Sequence, residues 1–158
     1  MVRVVAGLLF LVVSATAAAV DVVNVKLMTL ELAVDIAQAA VEACRKDGYQ
    51  VSVVVVDSIG RTQVVMRDVY ANQYMTHLAK AKTSAVVLSN TSSSLLGKNR
   101  ADIAAELNQL DDLLVLDGAV PITVAGSMIG AVGVSGAPGG DLDEACALRG
   151  IEAVQERL

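Results

Sequence analysis

The chain has one histidine, His77, in the stretch QYMTHLAKAKTSA. At helical spacing it shares a stripe with Gln73, Lys80 and Ser84. Imidazole is a common metal ligand near neutral pH, so His77 is either a ligand or a solvated side chain on the wet face of a helix. Arg67, Lys80 and Lys82 are cations that suit a carboxylate, and Arg67 could hold one with two parallel N–H bonds. Their other reading is solvated charge at a strand end and on a helix. Tyr70, Tyr74 and Met75 could wall an apolar pocket around a planar ligand. Tyr74 also falls on the stripe Tyr74, Leu78, Ala81, Ala85, Leu88, which reads as core packing. With one histidine and no Cys-x-x-Cys, the sequence argues against a zinc site.

A second stretch with chemical content is VSGAPGGD, from Val134 to Asp141. No lysine follows its glycines, so it is not a phosphate-binding Walker loop. Gly130, Gly133 and Gly136 never supply the Gly-x-Gly of a dinucleotide fingerprint. Ser135 is followed at once by Gly136, which is not the Gly-x-Ser-x-Gly of a nucleophile elbow. A triad of Ser135, His77 and some aspartate therefore has no geometric support. The expectation that remains is structural: Asp141 caps a final helix, with Glu144 three residues on completing the box. Asp141, Asp143 and Glu144 then sit at the positive end of that helix, a cap rather than a metal site.

The elements that must position these groups follow from periodicity. Leu30, Ala33, Val34, Ala37, Ala40, Val41 and Cys44 recur at three and four, with Thr29 as cap and Gly48 as stop, which predicts a helix. The runs 51–57 and 61–67, VSVVVVD and RTQVVMR, predict a hairpin across Ser58-Ile59-Gly60. A second helix is expected over 73–88, a polar break at NTSSS (90–94) and a short helix over 101–110. Strands over 113–116, 120–124 and 128–135 complete an antiparallel five-stranded sheet, followed by the last helix. Tight turns require antiparallel pairing, so the fold class is α+β, with helices packed on the sheet in a single domain.

Residues 1–19, MVRVVAGLLFLVVSATAAA, read as a secretory signal peptide: one Arg, an apolar run too short to span a bilayer, then small residues suited to cleavage. The expectation is a periplasmic or secreted mature domain over 20–158. Losing Arg3 leaves 11 basic against 17 acidic residues. That balance, with no basic cluster, argues against a nucleic-acid partner. Cys44 and Cys146 pair if the first and last helices lie side by side; otherwise they are two buried thiols, and the sequence leaves both open.

In their order, VVVVDSIGRTQVVMR, AKAKTSA, DGAVPITVAGSMIGAVGVSGA and DLDEACALRGIEAV resemble the GlcG/HbpS family, the haem-binding or haem-degrading domain found also at the C-terminus of some PduO proteins. The resemblance covers nearly all of 20–158. It implies a profilin-like α+β fold, a homo-oligomer, and haem as cofactor, with iron binding or redox sensing in exported members. It also implies His77 or Thr83 as axial ligand, and Arg67 and Lys82 as partners for the ligand's carboxylates. Three functions fit it: an exported haem or small-molecule binding protein, a slow haem-degrading enzyme, or a cofactor-free structural or sensory partner of a membrane protein. The chain departs from the family pattern at Val69-Tyr70 and at Ala119, where a glycine is usual. It departs again at Thr83, which follows Lys82 directly.

Overall fold

The computed structural model describes residue 21 and residues 23–158. The expected signal peptide lies outside them. Helix α1, Leu30–Lys46, begins where the Thr29 side chain accepts a hydrogen bond from the Leu32 amide at 3.3 Å. It ends as Gly48, at φ +85°, turns the chain back. Ala33, Ala37, Ala40, Val41 and Cys44 of the predicted stripe are buried, but Leu30 and Val34 are exposed and Leu32 and Ile36 take their place, so the buried face is turned slightly from the one the periodicity predicts.

Strands β1 (Ser52–Asp57) and β2 (Thr62–Arg67) form the expected hairpin. The Asp57 carboxylate closes its turn by accepting from the amides of Ile59 at 3.0 Å and Arg61 at 2.8 Å. Helix α2 (Gln73–Ser89) follows, then α3 (Ser93–Asn99), a single turn α4 (Ala104–Leu107), β3 (Ala119–Val124), β4 (Ser127–Ser135), α5 (Gly140–Glu152) and a terminal 3-10 turn, Gln155–Arg157. The antiparallel sheet runs β2-β1-β4-β3.

Side chains alternate across that sheet. Val53, Val55, Val132 and Val134 pack with α1 and α5, whereas Val54, Val56 and Ala131 pack with Ala79 and Val86 of α2. The result is three layers, with the sheet between helices. Full burial of a valine is worth roughly 1.5–3 kcal/mol, so the two valine-rich central strands anchor the core. Cys44 and Cys146 are joined by a disulfide that ties α1 to α5, with Cα atoms 5.4 Å apart.

Four expectations are corrected. The sheet has four strands, because 113–116 does not pair: the Leu114 amide bonds the Ala81 carbonyl of α2 at 3.0 Å, and the Val115 amide bonds Asn108 Oδ1 at 2.7 Å. The apolar run thus lies along a helix and not in the sheet. The short helix expected over 101–110 shrinks to α4. The polar break at NTSSS becomes a helix start, since Ser92 Oγ accepts from the Leu95 amide and caps α3. Last, Asp141 is not a cap. The helix begins two residues earlier than that cap implies, behind Gly139 and with no side-chain cap, and Glu144 accepts from Ser94 Oγ at 2.7 Å and the Gly118 amide at 3.4 Å.

Candidate functional site

Helix α2 lies unusually close to β4. A Cβ on Gly133 would stand 2.4 Å from the Ala79 carbonyl oxygen and 2.7 Å from Thr83 Cγ2, so only glycine allows this approach. The contact buries Ala79 and Thr83 against the strand and directs the long Lys82 side chain along the interface. At the far end of β4 the chain leaves the sheet through Gly136, at φ +136°, and loops into α5. Between that loop, the first turns of α2 and the segment after β2 a cleft of about 480 Å³ opens. That is the size of a small-molecule site.

Its floor is an ion pair. Lys82 Nζ lies 2.8 Å from Asp143 Oδ2 and 3.1 Å from the Val134 carbonyl, and the two side chains are 1% and 4% exposed. Asp143 Oδ1 accepts from the Ala137 amide at 2.9 Å, so the pair clamps α2, β4, the glycine loop and α5 together. Burial holds the Asp143 carboxyl above its usual range, while the Lys82 ammonium and the Ala137 and Gly136 amides pull it back.

One wall is the turn that carries Tyr70, Ala71 and Asn72. Asp68, buried, is paired with Arg45 and accepts from the Val51 amide, which fixes where β2 ends. Arg67 Nη1 then donates to the carbonyls of Asp68 and Ala71, and the Tyr70 amide donates to Gln50 Oε1 at 3.3 Å. Tyr70 is left 84% exposed beside the opening. Met75, Leu78, Leu116 and Pro138 supply apolar lining.

Of the residues singled out in the sequence, the cleft therefore gathers Tyr70, Met75, Lys82, Ser135 and Asp143. Arg67 lies beneath it, engaged with backbone carbonyls. Thr83 is fully buried, and its hydroxyl donates to the Lys80 carbonyl at 2.6 Å. His77 is exposed and lines a separate hollow of about 270 Å³ with Leu110 and Leu113; Leu78 borders both hollows. Tyr74 does not pack in the core: it and Leu88 are exposed, because the buried stripe of α2 is Ala79, Lys82, Thr83 and Val86. The sequence reading missed Gln50 and Asn72 as lining, and although it placed Asp143 in the first turn of the last helix, where it lies, it missed its partner Lys82. The signal for that pair was Lys82 set between Ala79, Ala81 and Ala85 on α2, on the side that turns out to be buried.

The described residues thus form a three-layer α+β domain with a polar-floored cleft at the end of its sheet. Residues 28–152 match the family model of "Haem degrading protein HbpS-like", and the chain belongs to that family. Among solved structures, HbpS is 38% identical over 89% of this chain and 99% of that one, with a TM-score of 0.80. A double mutant of Streptomyces reticuli HbpS is 37% identical over 90% and 97%, at 0.79. The complex of PduOC with haem is similar in fold, at 23% identity over 81% and 95% and a TM-score of 0.73. No curated protein matches the chain.

Proposed function

We propose that this chain is an exported binding protein for haem or a ligand of similar chemistry, held at the cleft between α2 and the glycine loop. The observation that carries the reading is the union, in one hollow, of apolar lining, an exposed phenol and a buried ammonium, in a member of a haem-associated family. The structurally similar PduOC is a haem complex. The donor set fits the group. Tyr70 lines the cleft and His77 the neighbouring hollow, with Leu78 in the lining of both, and imidazole and tyrosinate both serve as haem iron ligands. Tyr74 lies on the same outer face of α2, and Lys82 faces any carboxylate reaching the floor. Arg67 holds the Tyr70 turn in place. Thr83, with its hydroxyl on Lys80, supports the helix from beneath.

Bound haem would supply iron redox chemistry; the protein's share is to exclude water on the apolar side and neutralise carboxylates. Export is supported by the N-terminal sequence and by the disulfide, since such bonds persist in oxidising compartments. Homo-oligomerisation would cover the exposed Tyr74 and Leu88 of α2. A titration with hemin followed at the Soret band tests the reading: a saturable, stoichiometric shift is expected. The family model's description favours one second reading, slow haem turnover. It predicts loss of that band on adding a reductant under air.

A further inference from the structure

Ser135 closes β4, is 3% exposed and lines the cleft. Among the described residues the only hydrogen-bond partner of its hydroxyl is the Met75 thioether at 3.7 Å. Sulfur is a weak acceptor, so this hydroxyl is buried without a good partner. Its cross-strand neighbour Ser52, by contrast, is satisfied by Thr76 Oγ1 at 2.9 Å. The Lys82 ammonium carries three N–H groups, and two are engaged, with Asp143 and with the carbonyl of Val134, the residue before Ser135. Both Asp143 oxygens are occupied, by Lys82 and by the Ala137 amide. The same end of the cleft is bordered by Gly139 and Gly140, where α5 begins with no side-chain cap.

The free capacity here is one ammonium N–H and a hydroxyl that can donate, and the stronger of the two donors carries a positive charge. A corner with a cation and a hydroxyl favours an anionic oxygen acceptor, and the ammonium repels a metal ion or a charged amine. Asp143 offsets part of the lysine's charge, and the positive end of α5 adds to it. We propose that the Ser135 end of the cleft is a carboxylate subsite, in which the Ser135 hydroxyl and the Lys82 ammonium donate to one ligand carboxylate. This rests on the cleft being the ligand site and does not depend on the ligand being haem. The carboxylate is either a haem propionate or that of a free small acid.

The test uses sodium propionate and its neutral isostere propionamide, followed by amide NMR on the purified protein. Propionate should give saturable shifts at residues 135–143, and propionamide should bind at least tenfold more weakly. Ser135→Ala, folded by the dispersion of its spectrum, should weaken propionate at least tenfold. No saturable shift, equal binding of the amide, or unchanged affinity in Ser135→Ala overturns the subsite. Hemin then separates the sources: competition with propionate assigns the subsite to a haem carboxylate, and simultaneous binding assigns it to a free acid. Propionate binding without hemin binding removes haem and leaves the subsite; hemin binding without propionate binding does the reverse.

Discussion

Replacing Lys82 by methionine removes the cation from a pair whose side chains are 1% and 4% exposed. Methionine fills nearly the same volume, so the loss is electrostatic and not a cavity. Asp143 keeps its backbone amide partners at the glycine loop, but the oxygen that met Lys82 loses its charged partner in a site that is 4% exposed. Breaking a buried pair from one side costs about 3–5 kcal/mol. For a domain of this size that is a fall in melting temperature of roughly 10–15 °C. The double variant Lys82→Met/Asp143→Leu leaves no unpaired charge, and its stability should return to within about 1–2 kcal/mol of wild type. Acid should also rescue the single variant. Burial already raises the Asp143 carboxyl above its ordinary range, and loss of Lys82 raises it further. The folded protein then holds a proton that the unfolded chain releases. Stability therefore falls as pH rises above the free carboxylate value of about 3.9 and is regained as pH is lowered toward it. Denaturant melts of all three proteins at pH 4.5 and 7.5 decide the matter. A single variant as stable as wild type, or a double as unstable as the single, refutes the reasoning.

The disulfide closes a loop across a sequence separation of 102 residues, so its reduction should cost about 4–5 kcal/mol, seen as a lower melting temperature in dithiothreitol. An unchanged melt would contradict that. Gly133→Ala puts a methyl 2.4 Å from the Ala79 carbonyl and should cost at least 1–3 kcal/mol, roughly what overpacking costs; a neutral result would mean α2 does not lie so close to the sheet. Thr29→Ala should lose about 1 kcal/mol by uncapping α1, measured by the same melts.

Much of this fold was legible in the sequence because its strongest signals are local. Helix α1, its Thr29 cap and the VSVVVVD strand need no tertiary information, and the Ala125-Gly126 turn, at φ +47° and +77°, is written in its residues. The bounds of α2 were legible but its buried face was not. A hydropathy stripe picks out Tyr74 and Leu88, whereas the sheet accepts Ala79, Lys82 and Thr83, because Gly133 lets the backbones approach and a lysine is tolerated inside once Asp143 meets it. That meeting joins residues 61 positions apart, which no periodicity reveals. The run at 113–116 misled for the same reason: apolar and extended, it satisfies its backbone on α2 and Asn108. In the site, Tyr70 and Lys82 were read from residue type. Ser135 drew attention only as a nucleophile, a role its loop does not support.

The most direct test of the ligand site is a hemin titration of the wild type beside His77→Ala and Tyr70→Phe. The account predicts a saturable, one-to-one Soret shift that one of these two variants loses. No saturable shift, or an identical shift in both variants, would contradict it.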